Sequence, residues 1–148
     1  MARIGVLCFS KTNESPLLWS HYCEKHKGAC FVFDTTKDPA FFTRTFEIKY
    51  RANYPKINFI KDRARFDELV LTKSNDWLYE QEVRTIKDNN GVHTFTNKDC
   101  LVGVIFGCKT DINDINRIKG LLTTNGYNIP TTKASLRQGS YGMDFDNI

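Results

Sequence analysis

The chain contains 148 residues, of which 41% are hydrophobic and 26% are charged, and its formal net charge is +4. This composition is typical of a soluble globular protein, and no apolar run approaches the roughly 20 residues that a membrane-spanning helix needs. The opening residues lack the apolar stretch and the cleavage site of a signal peptide, so we expect one cytoplasmic domain over residues 1–148 without a membrane segment.

The first half of the chain predicts strands and helices in alternation. Apolar and β-prone residues predict strands at residues 4–9, 29–33 and 46–50. Asn13 or Ser15 can cap a helix that has Pro16 in its first turn and runs to Lys27, just before Gly28. The spacing of apolar residues within residues 62–73 predicts a second helix.

The second half of the chain predicts most of a sheet. Residues 77–86 (WLYEQEVRTI) predict a strand, and the turn residues through Gly91 predict a hairpin to a partner strand at residues 92–96. The apolar run at residues 101–106 predicts a central strand buried on both faces, and Asp111 or Asn113 can cap a helix that ends near Gly126. Residues 129–145 predict one or two further strands. The chain is therefore expected to be a single α+β domain with a mixed, mostly antiparallel sheet and two to three helices.

The cysteines favour reduced thiols over a disulfide framework. There are five of them, an odd number, and three lie in apolar, strand-like runs: Cys8, Cys30 and Cys108. Buried thiols in a cytoplasmic protein fit this distribution.

Metal ligands and nucleotide-binding motifs are not indicated by the sequence. His21, Cys23 and His26 lie close together, but their spacings of two and five residues place them on different faces of the predicted helix. The chain has no P-loop, no G-x-G-x-x-G and no G-x-S-x-G motif. We therefore predict no metal site.

Two glutamates and an arginine alternate along the predicted strand at residues 77–86. Alternate residues of a strand share a face, so Glu80, Glu82 and Arg84 are expected to project together. Such a set forms either a solvated, salt-bridged edge or a charged site, and the sequence leaves both interpretations open.

Aromatic and basic residues elsewhere also have two interpretations. Trp19 and Tyr22 lie at helical spacing and are expected in the core, or they form an aromatic wall for a flat ligand ring. Seven Lys and Arg residues are scattered through the middle of the sequence, and they form either a solvated face or a contact surface for nucleic acid. They are Arg44, Lys49, Arg51, Lys56, Lys61, Arg63 and Arg65.

An ordered set of motifs resembles a bacterial family known as domain of unknown function 2971. The motifs lie at residues 8–10 (CFS), 18–22 (LWSHY), 26–28 (HKG), 31–34 (FVFD), 77–84 (WLYEQEVR) and 104–108 (VIFGC). Members of that family usually have an additional N-terminal segment, and the resemblance implies that this segment is missing here.

The residues around Glu82 are also similar to the Glu-x-Glu strand of ADP-ribosyltransferases. That resemblance implies an ADP-ribosyltransferase-like fold that uses NAD as a substrate. Glu82 would stabilise the oxocarbenium charge that develops when the nicotinamide–ribose bond breaks, and Glu80 would orient or deprotonate the acceptor. Arg84 would hold the pyrophosphate or fix a glutamate rotamer.

The same resemblance implies further cofactor contacts. Ser10 and Thr12 would stand in place of the Ser/Thr-bearing strand of those enzymes, and Trp19 or Tyr22 would stack on nicotinamide. The expected function is an NAD-dependent ADP-ribosyltransferase or NAD hydrolase, as a toxin or phage-defence effector, with a protein or nucleic acid as acceptor. The alternative is a non-catalytic binding module that contacts protein or nucleic acid. The acceptor and the oligomeric state are not predicted.

Overall fold

Helices and strands combine in an α+β fold over the residues that a computed structural model describes, 4–58, 61 and 66–148. Three 3-10 segments lie at Thr35–Lys37, Asn75–Glu80 and Lys98–Cys100. The other elements, in chain order, are β1 (Gly5–Ser10), α1 (Pro16–Tyr22), β2 (Ala29–Phe33), α2 (Pro39–Phe42), β3 (Thr45–Glu47), β4 (Lys49–Arg51), α3 (Phe66–Val70), β5 (Thr72–Ser74), β6 (Glu82–Lys87), β7 (Leu101–Phe106), α4 (Ile112–Thr124), β8 (Thr131–Leu136) and β9 (Met143–Asn147).

The chain forms two compact units, each built from two separate segments. Unit 1 comprises Met1–Thr12 and Ala40–Thr94, and unit 2 comprises Asn13–Pro39 and Phe95–Ile148. Four of the six strand pairs in these units are antiparallel, which confirms the predicted mixed and mostly antiparallel character. No helix in the described part of the chain is long and apolar enough to cross a membrane.

Unit 1 is organised around β6. This strand lies between β1 and β3 and runs antiparallel to both. A second, two-stranded sheet pairs β4 with β5 in parallel. Thr85 in the middle of β6 is completely buried, and its hydroxyl lies 2.7 Å from that of Thr45 on β3. Because β6 has a partner on each side, its side chains are held in register with two neighbours.

Unit 2 contains a four-stranded sheet in the order β2-β7-β8-β9. The predicted central strand, β7, lies between β2 and β8, and its residues from Gly103 to Phe106 are buried. Val104 and Phe106 pack against Ile115 of α4, whose N-terminus is capped by the Asp111 carboxylate. Ile105 packs with a separate group that includes Trp19 of α1. The continuous apolar run therefore supplies core residues to two hydrophobic clusters, as expected for a strand buried on both faces.

Several predicted elements differ from the structure in the first half of the chain. The helix predicted to reach Lys27 ends at Tyr22, because Glu24, Lys25 and His26 all adopt left-handed backbone angles (φ 46°, 55° and 73°). The strand predicted at residues 46–50 is two short strands, β3 and β4, that belong to different sheets.

The helix predicted at residues 62–73 also differs from the structure. Within its described part, α3 ends at Val70 and Lys73 lies on β5; residues 62–65 fall outside the described residues. Four α-helices are present in the described ranges, compared with the predicted two to three, because α2 and α3 are short segments of four and five residues.

The predicted strand at residues 77–86 begins only at Glu82. The first half of the predicted strand belongs to the 3-10 segment Asn75–Glu80. The Ser74 hydroxyl caps this segment by accepting a hydrogen bond from the Asp76 amide. The predicted hairpin to residues 92–96 is wrong, because β1 and β3 occupy the two edges of β6. Val92 is 99% exposed and belongs to an irregular segment.

All five cysteines are free thiols, but the prediction that Cys8 is buried is wrong. Cys8 is exposed on β1, whereas Cys30 and Cys108 are partly buried and Cys100 is fully buried. Burial, with a smaller contribution from the nearby Cys23, raises the pKa of the Cys30 thiol to about 11. That thiol is therefore protonated and unreactive at neutral pH.

Candidate functional site

The two glutamates singled out by the sequence lie on different elements of unit 1. Glu80 ends the 3-10 segment, and Glu82 begins β6. Between them, Gln81 adopts a left-handed conformation with φ 45° and ψ 48°. The two carboxylates therefore do not share a face through regular strand alternation.

Both carboxylates nevertheless meet at the ammonium group of Lys73. The Lys73 Nζ donates to Glu80 Oε2 and, at 3.0 Å, to Glu82 Oε2. Glu80 is only 3% exposed and Glu82 only 6%. This burial excludes the interpretation of the pair as a solvated edge.

Arg84 completes the arrangement from the next position on the same face of β6. Its Nε donates to Glu82 Oε1 at 2.7 Å and its Nη2 to Glu82 Oε2 at 3.1 Å, in a two-point contact. Its Nη1 donates to the carbonyl of Val70. We call Lys73, Glu80, Glu82 and Arg84 the charged quartet; it contains two anions and two cations.

The pairing sets the protonation states of Glu82 and Lys73. Burial alone would raise the pKa of the Glu82 carboxyl, but hydrogen bonds from Arg84 and Lys73 outweigh it and hold that pKa below its ordinary value. Burial likewise opposes the charge on Lys73, yet its bonds to Glu80 and Glu82 raise its pKa. Glu82 is therefore an anion, and Lys73 a cation, at neutral pH.

A known protein family matches part of the chain. The profile of a protein family of unknown function (DUF2971) matches residues 18–85. The match confirms the DUF2971 resemblance. No curated protein and no solved structure matches the chain.

The DUF2971 match covers the whole charged quartet but not Ser10 or Thr12. In the sheet Ser10 is directly opposite Glu82, and its hydroxyl oxygen lies 2.7 Å from the Glu80 carbonyl oxygen and 2.8 Å from that of Thr12. It also accepts from the Thr12 amide at 3.0 Å. The structure thus brings Ser10 to the glutamates, where it binds backbone groups and holds the Glu80 end of the 3-10 segment in place.

Cys8 is a further neighbour that the sequence did not single out. It lies opposite Arg84 in the register of β1 and β6. Although Cys8 as a residue is exposed, partial desolvation of its thiol and the Glu82 carboxylate raise the pKa of that thiol, while Arg84 acts in the opposite direction. Because the thiolate is the reactive form, Cys8 is a neutral side chain of the site and not an activated nucleophile.

Trp19 and Tyr22 lie within the DUF2971 match but belong to unit 2. Trp19 is 2% exposed, packs with Ile105, and donates its indole N–H to the Asn13 carbonyl at 2.6 Å. This confirms its interpretation as a core residue of the helix. Tyr22 is 63% exposed, so its interpretation as a core residue is wrong. A role for either ring in holding a flat ligand stays a prediction.

Two important residues of the site were not predicted. Lys73 was assigned to a helix, and the only signal against it is the turn-forming sequence Ser74-Asn75-Asp76 directly afterwards. The second is Tyr50 on β4, whose hydroxyl accepts from the Glu82 amide at 2.7 Å. Across the described ranges, no group of three or more His, Cys, Asp or Glu side chains is placed to hold a metal ion.

Aromatic rings lie beside the charged quartet on the 3-10 segment. The Lys73 Nζ is 4.9 Å from the centroid of the Trp77 ring, and Trp77 in turn is 6.0 Å from Tyr79 between ring centroids. Trp77 is 37% exposed. The site therefore combines a buried, ionised carboxylate with a cation and a partly exposed ring.

Proposed function

We propose that unit 1 acts on NAD at the charged quartet and cleaves the bond between nicotinamide and ribose. The observation that carries this proposal is the buried, ionised Glu82, fixed by Lys73 and Arg84 beside Ser10. The NAD-directed chemistry itself comes from the similarity of the Glu-x-Glu sequence to ADP-ribosyltransferases.

The reaction requires an anion that does not take up a proton. When the glycosidic bond breaks, its electron pair leaves with neutral nicotinamide, and positive charge develops on the ribose carbon and ring oxygen. A preorganised carboxylate stabilises that charge, and a lowered pKa keeps Glu82 ionised for this purpose. An acceptor hydroxyl or water then bonds to the ribose carbon and loses its proton to a base, for which Glu80 is the candidate.

The contacts of Arg84 support one of the two roles predicted for it. Its guanidinium is committed to both oxygens of Glu82 and to the Val70 carbonyl. In the proposed reaction Arg84 therefore fixes the Glu82 rotamer, and it does not hold the pyrophosphate.

A non-catalytic binding module is the second candidate function. The observation that favours it is the internal balance of the charged quartet, in which each carboxylate already has a cationic partner. A buried ion-pair network of this kind also serves purely structural purposes.

Nicotinamide release separates the two candidates. We expect the wild-type chain to release nicotinamide from NAD, and E82Q to be slower by about 100-fold or more, because removal of one preorganised electrostatic group costs this much in other enzymes. The matched control is E47Q, which removes an exposed carboxylate on β3 that pairs with the exposed Lys11. Its rate should stay within about twofold of wild type.

Binding of NAD to the wild-type chain provides a second test, which does not depend on whether E82Q folds. Saturating NAD, at about 100 times its dissociation constant, should add roughly 2.7 kcal/mol to the free energy of unfolding of the wild type. Absence of both nicotinamide release and thermal stabilisation, with water, protein and nucleic acid offered as acceptors, would overturn the enzymatic proposal and leave the binding module.

A further inference from the structure

The strand β4 has two faces with different chemistry. Tyr50 points towards β6, where its hydroxyl binds the Glu82 amide, and it is opposite Lys73 in the register of β4 and β5. Because side chains alternate along a strand, Lys49 and Arg51 project from the opposite face. Both are exposed.

The chain that follows β4 is also positively charged. There is no Asp or Glu between Glu47 and Asp62, and Lys56 is exposed within that stretch. Lys49, Arg51 and Lys56 form no ion pair with another described residue. We call residues 49–58 the basic segment.

The net charge of the whole chain is located in unit 1. Unit 1 contains twelve Lys and Arg and eight Asp and Glu, whereas unit 2 contains nine of each. Since the charged quartet is internally neutral, the excess of +4 belongs to the remainder of unit 1. A positive potential there attracts anionic partners and is strengthened by the three cations of the basic segment.

An exposed aromatic ring lies within the basic segment. Tyr54 is 93% exposed, between Arg51 and Lys56 in the sequence. A ring in this setting offers a stacking surface for a base, while the flanking cations can follow a phosphate backbone. An acidic peptide would use the cations but would have no planar group for the ring.

We propose that the basic segment binds single-stranded nucleic acid, with Lys49, Arg51 and Lys56 at the phosphates and Tyr54 stacked on a base. The contacts are to backbone and base faces, so the binding is independent of sequence. Lys49 and Arg51 lie on the face of β4 opposite Tyr50, which contacts the charged quartet, and the proposal does not depend on the NAD proposal.

Fluorescence anisotropy of the full chain with a labelled single strand of about 20 nucleotides tests the proposal. The logarithm of the association constant should fall with the logarithm of the salt concentration with a slope of about −2, as expected for three phosphate contacts on a single strand. The variant K49A/R51A/K56A should reduce that slope to near zero. Its control, K27A/K37A/K109A, removes three exposed lysines of unit 2 and should retain most of the slope.

The role of the ring is tested separately. We expect Y54A to bind about tenfold more weakly and Y54F to bind within about twofold of wild type, because the stacking face is kept in Y54F. Tyr141, which is fully exposed in unit 2, supplies the matched control Y141A, which should bind as the wild type does.

Three outcomes would overturn the proposal. They are equal weakening by the two triple variants, equal binding of a duplex of the same length, and equal binding of a polyglutamate peptide. E82Q should bind the single strand as the wild type does, so failure of the NAD proposal and failure of this one are distinguishable.

Discussion

Lys73 is the residue that joins Glu80 and Glu82 in unit 1. Its ammonium is the group that contacts both carboxylates, while Arg84 binds Glu82. Without Lys73, Glu80 would lose a cationic partner in a position that is only 3% exposed. Loss of one partner from a buried ion pair is much more costly than loss of a surface pair.

We therefore expect K73M to lower the free energy of unfolding by about 2–3 kcal/mol. Urea denaturation measures this change. The control is K11M, which breaks the exposed pair between Lys11 and Glu47 and should cost less than about 0.5 kcal/mol. Similar losses in both variants would show that burial of the charged quartet contributes nothing.

Because folding lowers the pKa of Glu82, part of the free energy of unfolding depends on pH. The folded state binds the Glu82 proton less tightly than the unfolded state, whose carboxyl has an ordinary value of 4.5. The stabilising contribution is therefore complete above that value and is lost as the pH falls through the lower folded pKa.

We expect the urea midpoint of the wild type to fall between about pH 5 and about pH 3 more steeply than that of E82Q. The E47Q variant, which lacks an exposed carboxyl, should retain the slope of the wild type. An unchanged slope in E82Q would contradict the assigned pairing of Glu82 with Lys73 and Arg84.

At the scale of elements, the turn after α1 is the least regular part of unit 2. Its three left-handed residues each carry a steric cost of about 1–2 kcal/mol relative to a right-handed conformation. Backbone bonds hold the turn: the His26 amide donates to the Trp19 carbonyl, and the His26 carbonyl accepts from Lys109. The turn packs directly against Gly107 at the end of β7, where an added Cβ would lie 2.1 Å from the His26 carbonyl oxygen.

Two glycine-to-alanine variants should therefore have opposite effects. G107A should lower the free energy of unfolding by about 2 kcal/mol or more, because backbone must move to admit the methyl group. G120A, in the exposed face of α4 where an added Cβ meets no atom within 4 Å, should raise it by about 0.5–1 kcal/mol. Thermal or urea denaturation of the two variants and the wild type measures both changes in the free energy of unfolding. Changes of the same sign would contradict the packing described.

Elements with strong local signals were predictable, and elements decided by distant contacts were not. The apolar run of β7 and the period and cap of α4 indicate a strand and a helix by themselves. The sequence at residues 77–80 has strand-forming residues, but the cap at Ser74 and the left-handed Gln81 select a 3-10 turn. Glu80 and Glu82 were expected to share one face of a strand; they meet instead at Lys73, and no local sequence pattern indicates these contacts.

At the scale of the whole molecule, the strand pairs join residues that are far apart in the chain. Gly5 on β1 is opposite Lys87 on β6, and Ala29 on β2 is opposite Phe106 on β7. A local pattern contains no information about such partners, whereas turn residues after β6 favoured a local hairpin. For this reason the positions of most strands were predictable from the sequence, whereas their order in the sheets was not. The DUF2971 match, at residues 18–85, includes parts of both units.

The interleaving of the two units affects how pieces of the protein behave when they are produced alone. A fragment that retains both β1 and β6 also carries β2, because β2 lies between them in the chain. If that fragment stops after Thr94, it lacks β7, the neighbour of β2 in the sheet. The exposed hydrogen-bonding edge and apolar side chains of β2 would then be free to pair with other copies. Such a fragment is expected to aggregate, even though every residue of the charged quartet is present.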